Sequence, residues 1–316
     1  MRIVIIGGSG FIGRRMALEA AARGHEPVII SRNNKRAAAA FKDRGLSLAG
    51  LEFCEWDGKN PGPWYSEVDK ADGVVNLAGE PIAAGKWTPQ RKKRIVESRI
   101  NVSRTLFKAL HQVAAGSKVL VQASAVGYYG SRGEESLRED SGPGRGFLAE
   151  TAKEWEKSAE DAARLGLRTV YIRTGVVLGL DGGALPRFLT PFKYFVGGHF
   201  GDGGQWFPWI HIEDQARAMT HLLENKEAEG PYNLAGPTPS RLKDFCRDLG
   251  RVMGRPSWAP LPGFLLRALM GEMADELLLT SQKISSEKLE DSGFVFKHRT
   301  PLEALRDILG SGSPRV

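Results

Sequence analysis

Cysteine is nearly absent from this 316-residue chain, which contains only Cys54 and Cys246. The two lie far apart, and neither belongs to a Cys-x-x-Cys pair of the kind that binds zinc or carries redox chemistry. The six histidines form no His-Glu-x-x-His motif. The sequence therefore argues against a disulfide-stabilised scaffold, and we expect no metal site.

Long hydrophobic runs are missing as well. No apolar stretch approaches the ~18 residues that a membrane-spanning helix needs. The opening segment Met1–Ile6 is too short, and too soon followed by glycines, to be a secretory signal. We therefore expect a cytoplasmic protein without a membrane partner.

The formal net charge is +7, but the basic residues are spread along the chain and interleaved with Asp and Glu. This distribution argues against a nucleic-acid partner, which would favour a clustered basic face. The densest basic run, Arg91–Arg94, lies where a helical pattern begins. It is either a solvated helix face or a positive patch that attracts a polyanionic cofactor or partner.

Short β-branched runs alternate with longer helical patterns, and this alternation predicts a parallel sheet. The helical stretches repeat apolar residues every three or four positions, so helices can cover both sheet faces. We predict a doubly wound α/β fold of the Rossmann type with a smaller, mostly helical C-terminal substrate region. The predicted strands are 3–6, 27–31, 51–56, 73–77, 118–123 and 168–173.

After about Gly175 this regularity gives way to glycine, proline and aromatic residues. We predict a Rossmann domain over 1–175, to which 205–235 return, and a substrate or C-terminal domain made of 176–204 and 236–316. Helical structure is expected from Phe264 to Leu279. Three aromatic residues of the loop-rich part, Trp206, Phe207 and Trp209, either wall a substrate pocket or pack as loop core.

A glycine-rich loop joins the first predicted strand to the first predicted helix. In Rossmann proteins such a loop turns sharply, lets backbone approach a pyrophosphate and packs the helix against the strand. The free N–H groups of the helix N-terminus then bind the phosphates. We expect a dinucleotide site at Gly7, Gly8, Ser9, Gly10, Phe11, Ile12 and Gly13.

The end of the second predicted strand indicates which dinucleotide binds. Proteins that prefer NAD place Asp or Glu there, whereas this chain has Ser31 and Arg32. Arginine pairs a phosphate bidentately and serine can donate to it, so we predict NADP(H). Asp57, after the third strand, is either an adenine contact or a residue that caps a turn.

The fourth strand ends in a segment that lets backbone pass close to the cofactor, at Leu77, Ala78 and Gly79. Arg99 follows in the next predicted helix and borders the same groove. It is expected to bind a phosphate or a ribose, or else to form an ordinary salt bridge. Ala123, near the end of the fifth strand, completes the predicted cofactor contacts.

Together these motifs resemble the extended short-chain dehydrogenase/reductases, the superfamily of sugar-nucleotide epimerases and dehydratases. More narrowly, the chain is similar to the YfcH-type epimerase family over essentially its whole length, including a small C-terminal domain. The resemblance implies an NADP-binding oxidoreductase or epimerase. It is carried by the segments 76–80, 97–99, 124–130, 173–179, 207–212 and 282–302.

The resemblance also implies catalytic residues, and here the chain departs from the superfamily. There, a Tyr-x-x-x-Lys pair transfers the proton and a Ser or Thr on the fifth strand orients the substrate carbonyl. Ser124 matches that Ser. Lys153 matches the Lys only if Ala149 replaces the Tyr, and a register one residue earlier lacks both. We predict Ser124 and Lys153 as catalytic residues, with Tyr128 supplying the missing hydroxyl or, alternatively, packing at the strand end.

Two hypotheses follow. The first is an NADP(H)-dependent oxidoreductase or epimerase-like enzyme acting on a small-molecule substrate that is polar and moderately large, by family analogy a sugar nucleotide. The second is a non-catalytic NADP-binding module that senses redox state, which the missing Tyr favours. In either case we expect His211 to order its loop and Asp214 to cap the following helix. The sequence does not define an oligomeric state.

Overall fold

The structure is a computed structural model that describes residues 1–111 and 118–310, apart from the side chains of residues 161 and 163. The strands of the central sheet are β1 (Arg2–Ile6), β2 (Glu26–Ser31), β3 (Glu52–Glu55), β4 (Gly73–Asn76), β5 (Val119–Ala125), β7 (Arg168–Thr174) and β11 (Gly230–Leu234). Six short strands form pairs outside it: β6 (Ser136–Leu137), β8 (Val176–Leu178), β9 (Trp206–Phe207), β10 (Trp209–His211), β12 (Ser240–Arg241) and β13 (Lys283–Ile284).

The helices follow the same chain order. They are α1 (Phe11–Ala22), α2 (Asn34–Lys42), α3 (Trp64–Lys70), α4 (Pro89–Leu110), α5 (Phe147–Lys157), α6 (Glu160–Arg164), α7 (Leu185–Lys193), α8 (Ile212–Glu224), α9 (Leu242–Met253), α10 (Gly263–Met270), α11 (Glu272–Leu277), α12 (Glu287–Asp291) and α13 (Pro301–Gly310).

The central sheet is parallel throughout, in the order β11-β7-β5-β4-β1-β2-β3. Its strands are apolar on both faces: in β1, Ile3 and Ile5 join one core cluster while Val4 and Ile6 join the other. Residues of α1, α2 and α8 cover the first face, and residues of α3, α4 and α6 cover the second. This arrangement confirms the predicted doubly wound fold.

All six predicted strands are present, and a seventh, β11, pairs with β7 at the edge of the sheet. We did not predict β11, because it begins with Gly-Pro and contains no run of β-branched residues. Within the stretch 205–235, α8 packs on α1 and β11 extends the sheet. The division of the chain into two domains stays a prediction.

The C-terminal region is mostly helical, as expected. The helical structure predicted over Phe264–Leu279 is present as two helices, α10 and α11, which are separated by Gly271 with a φ of +60°. Farther on, α13 packs against α9. Among the described residues, no helix is both long and apolar enough to cross a membrane.

A buried carboxylate fastens the C-terminal segment to the Rossmann part. Asp214, fully buried in α8, accepts hydrogen bonds from the backbone N–H groups of Lys297 and His298, from His298 Nδ1 and from Arg217 Nη1, at 2.8–2.9 Å. The prediction that Asp214 caps α8 is wrong. The cap is His211, whose Nδ1 accepts from the backbone N–H of Glu213 at 3.0 Å.

Replacing this carboxylate should weaken the whole fold. Asp214→Ala leaves a partly buried guanidinium and two backbone N–H groups without their acceptor, so we expect the free energy of unfolding to fall by about 3–5 kcal/mol. Urea unfolding measures the change. The matched control is Asp69→Ala on the exposed face of α3, expected within about 0.5 kcal/mol of the parent. Equal effects of the two substitutions would contradict this account.

Candidate functional site

The glycine loop places the N-terminus of α1 directly over the end of β1. Gly7 has a φ of +80°, and its backbone lies against Leu77 at the end of β4. A Cβ on Gly13 would lie 2.5 Å from the carbonyl oxygen of Gly7, so only glycine allows this helix–strand contact. The free N–H groups at the start of α1 therefore lie at the carboxyl edge of the sheet, where a pyrophosphate fits.

The loop is braced from outside the sheet. Arg14 donates to the carbonyl of Ser9 at 2.9 Å and to Asp181 at 2.8 Å. Cβ atoms built on Gly179, Gly182 and Gly183 would lie only 2.6–2.9 Å from atoms of the Phe11 ring. The segment after β8 thus packs closely on the first turn of α1 and fixes its position.

At the end of β2 the two residues predicted to read the cofactor phosphate are available. The Arg32 side chain is exposed and has no hydrogen bond or ion pair within residues 1–111 and 118–310. Beside it, the Ser31 hydroxyl is buried and has no partner there either. A free guanidinium next to a free hydroxyl suits a phosphate group.

The Asp57 carboxylate, by contrast, is already hydrogen-bonded within its own turn. Its carboxylate accepts from the backbone N–H groups of Lys59 and Asn60 at 2.8 and 2.9 Å and from Asn60 Nδ2 at 2.6 Å, and these bonds lower its pKa. This geometry matches the turn-capping alternative. An adenine contact by Asp57 would have to share oxygens that the turn already uses.

Arg99 lies beside the groove and braces the segment after β4. Its guanidinium donates to the carbonyls of Ile95 at 2.8 Å and Glu80 at 3.2 Å, and lies 4.8 Å from the Trp155 ring. Burial lowers its pKa to about 10. A Cβ on Gly79 would lie 3.0 Å from Cζ of Arg99. No carboxylate among the described residues pairs with it, so the ordinary salt bridge is not what holds it.

Ser124 is tied to a buried ion pair that the sequence analysis missed. Its hydroxyl donates to Glu156 Oε1 at 2.6 Å, and Arg173 donates to both oxygens of the same carboxylate at 2.9 Å. Ser124 and Arg173 are each 4% exposed. The hydroxyl is therefore committed to bracing β5 against α5, which disfavours the predicted role of orienting a substrate carbonyl.

Ala123 precedes this serine on β5 and is 7% exposed, buried in the cluster on the α1 face. Its predicted cofactor contact would therefore be made by backbone.

Two neighbouring tyrosines follow β5 and differ in availability. Tyr129 is fully buried: its hydroxyl donates to Asn233 at 2.7 Å and accepts from Arg173 at 2.9 Å, and burial raises its pKa to about 12. Tyr128 is half-buried, and the Arg173 guanidinium lies 3.7 Å from its ring centre. Its hydroxyl has no hydrogen-bond partner among the described residues. Of the two, Tyr128 is the available hydroxyl.

Lys153 lies on the outer face of α5. Its side chain is 49% exposed and pairs with Glu150 at 3.9 Å, whereas the buried positions of the helix are Ala149, Thr151, Ala152 and Trp155. The physical reason is register: the inward-facing position next to Lys153 is Ala152. Lys153 makes no hydrogen bond or ion pair with Ser124 or Tyr128 in the part of the chain that the structure describes, and its catalytic role stays a prediction.

A carboxylate of the C-terminal region binds the start of α5, and we call this contact the clasp. Both oxygens of Glu276, in α11, accept from the backbone N–H groups of Phe147 and Leu148 at 2.7 Å. Glu272 of the same helix pairs with Lys92 of α4, whose ammonium also lies 4.9 Å from the Phe147 ring centre. These ties hold α11 against the carboxyl edge of the sheet. No short-range sequence pattern predicts these contacts, because the partners are more than 120 residues apart.

The three aromatic residues considered as pocket walls separate into two roles. Trp209 is 1% exposed and Phe207 stacks near Phe245 with ring centres 4.7 Å apart, so both belong to the core of the C-terminal part. Trp206 is half-buried between Arg241 and Lys283, 4.3 and 5.0 Å from its ring centre. The loop-core alternative holds for Trp209 and Phe207.

Two histidines stack where the C-terminal segment docks. The rings of His211 and His298 are 3.8 Å apart, and Glu213 and Asp307 lie beside them. Burial and the neighbouring His298 lower the pKa of His211 to about 4. His211 is therefore neutral near pH 7, and since its Nδ1 accepts the Glu213 N–H, its remaining proton is on Nε2.

The clasp can be tested by removing its carboxylate. Glu276→Ala takes the acceptor from two N–H groups of the α5 N-terminus, so we expect a loss of about 0.5–2 kcal/mol in the free energy of unfolding. Chemical denaturation measures it, with Glu154→Ala, an exposed position of α5 itself, as the control. If the two variants are equally stable, the clasp contributes nothing measurable.

Comparison with known proteins places the chain among proteins of this architecture. Residues 3–235 match the NAD dependent epimerase/dehydratase family, and residues 261–308 match a domain of unknown function, DUF1731. The chain is 38% identical over 311 residues to the chloroplastic epimerase family protein SDR39U1 homolog of Arabidopsis thaliana, covering 98% of this chain and 87% of that protein. It is 37% identical over 299 residues to the epimerase family protein YfhF of Bacillus subtilis, covering 94% of each.

Solved structures agree. The human epimerase family protein SDR39U1, isoform 2, crystallised with NADPH, superposes with a TM-score of 0.84 at 31% identity, over 98% of this chain and 99% of that one. The UDP-glucuronic acid 4-epimerase of Bacillus cereus, at 18% identity and a TM-score of 0.77 over 98% of both chains, shares the fold. The chain thus belongs to the NAD-dependent epimerase/dehydratase family, with a C-terminal DUF1731 domain.

Proposed function

We propose that this chain binds NADP(H) in the groove between the glycine loop and the end of β4, and that it reduces a carbonyl, or oxidises the matching alcohol, on a small polar substrate. The observation that carries the cofactor part is the exposed, unpaired Arg32 beside the partnerless Ser31 hydroxyl. The NADPH named in the structure of human SDR39U1 supports the same choice. Other structures of similar fold are named with NAD.

Different residues of the groove suit different chemical groups of the cofactor. The N–H groups at the start of α1 suit the pyrophosphate, and Arg32 with Ser31 suits the phosphate on the adenine-side ribose. Arg99 adds a partly buried positive charge next to Gly79, which favours a phosphate or a ribose hydroxyl on that side. A sugar nucleotide remains our proposal for the substrate on family grounds alone.

When bound, the cofactor supplies the hydride, so the chain has to supply the proton that completes an alcohol. Tyr128 is the candidate donor, because its hydroxyl is unpartnered and half-exposed, while Ser124 and Tyr129 are committed to Glu156 and Asn233. Lys153, on the outer face of α5, takes no part in this proposal.

A second candidate function is a non-catalytic NADP(H)-binding module. One observation favours it: the Ser124 hydroxyl is engaged by Glu156, so it is not free to orient a substrate carbonyl. Such a module would bind the cofactor equally well and turn over nothing.

The cofactor part is tested at Arg32. We expect Arg32→Asp to lower the NADPH-to-NADH affinity ratio by tenfold or more, about 1.4 kcal/mol, because a carboxylate repels the extra phosphate that the guanidinium attracts. Fluorescence titration with each nucleotide gives the ratio. Arg104→Asp, on the exposed face of α4, makes the same charge change away from the groove and should leave it unchanged. An unchanged ratio in Arg32→Asp would exclude this phosphate site.

The proton donor is tested at Tyr128. On any carbonyl compound that the parent protein reduces, followed by loss of NADPH absorbance, Tyr128→Phe should lower kcat by about 10²–10⁴. NADPH affinity should stay within about twofold. Tyr194→Phe, 75% exposed, is the control. Full activity in Tyr128→Phe contradicts the donor assignment, and NADPH binding without turnover of any carbonyl tested supports the non-catalytic module.

A further inference from the structure

A second cleft lies behind the glycine loop, on the outer face of α1. It has a volume of about 390 Å³, within the usual size range for small-molecule sites. Its walls come from α1, the turn after α2, the segment after β8, and α13. The cofactor groove lies at the carboxyl edge of the sheet, and of the residues assigned to it only Phe11 also borders this cleft. Nothing in the proposed function uses this space.

Positive groups dominate the walls. Arg14, Arg15 and Arg44 line the cleft, against the carboxylates of Asp181 and Asp307. Asp181 is shared by two of the arginines, 2.8 Å from Arg14 and 3.4 Å from Arg44. Arg15 is exposed and has no hydrogen bond or ion pair with any residue that the structure describes. One cation at the cleft is therefore unneutralised.

Two donor atoms of these wall residues are enclosed without a hydrogen-bond acceptor in the part of the chain that the structure describes. Arg14 is 5% exposed, and its Nε is enclosed without an acceptor. His211 is 2% exposed, and its Nε2, which carries the ring proton, makes no hydrogen bond, the nearest carboxylate oxygen being that of Asp307 at 3.3 Å. Buried donors without acceptors are rare in folded proteins.

Apolar side chains complete the cleft. Phe11, Leu46, Ile212 and Ile308 line it, and Leu180 at its border is 43% exposed. A ligand that satisfies both kinds of wall has an anionic head and an apolar body. We infer that this cleft is a second binding site, separate from the cofactor groove, for a small amphipathic anion bearing a phosphate ester or a carboxylate.

Calorimetric titration with phenyl phosphate and, separately, benzoate tests this site and distinguishes the two head groups. The protein is first saturated with NADPH, which fills the cofactor groove. We expect saturable binding of at least one probe, weakened fivefold or more in Arg15→Ala and in Arg44→Ala. The control Arg104→Ala removes an exposed arginine from α4 and should change the affinity less than twofold.

Three results would overturn the inference: no saturable binding of either probe, affinities that are the same in Arg15→Ala and Arg44→Ala as in the parent, or an equal loss in Arg104→Ala. Retained NADPH binding by each variant shows that it is folded. If the parent does not bind NADPH, the same titrations without the nucleotide still compare the variants, so failure of the proposed function and failure of this site are separate results.

Discussion

The close contact between Gly13 and the carbonyl of Gly7 fixes where α1 begins, and the rest of the groove depends on that position. A Cβ at Gly13 would lie 2.5 Å from the Gly7 oxygen, and one at Gly7 would lie 3.1 Å from backbone of Leu77. The first helix, the first strand and the end of the fourth strand are therefore in direct backbone contact, with no room for a side chain between them. This meeting directs the free N–H groups of α1 to the sheet edge where Arg32 and Gly79 also lie.

Around that groove, side chains that a family comparison would assign to catalysis serve the fold. Glu156 and Arg173 form a buried pair that also takes up the hydroxyls of Ser124 and Tyr129. A buried charged pair is costly to break, since either partner alone would be left unpaired away from water. The pair thus fixes β5, β7 and α5 relative to one another and leaves Tyr128 as the free hydroxyl in this cluster.

The strands, the crossover helices and the glycine loop could be predicted from the sequence, because each depends on a short-range pattern of residues. Ser31 and Arg32 could be placed at the groove for the same reason: they end a strand whose position in the fold is fixed. The role of Ser124 could not, because its partner Glu156 is 32 residues away on a helix whose rotation no pattern specifies. The carboxylates of Asp214 and Glu276 act between distant segments, and only the folded chain brings their partners together.

Hydrogen–deuterium exchange with and without NADPH tests the central claim most directly, because it reports where the nucleotide binds. We expect slower exchange, on adding NADPH, in segments 6–13, 31–33 and 77–80, and no change in α9, which contains none of the predicted cofactor residues. NADPH binding without protection of segment 6–13 would contradict the account, as would the absence of any NADPH-dependent change.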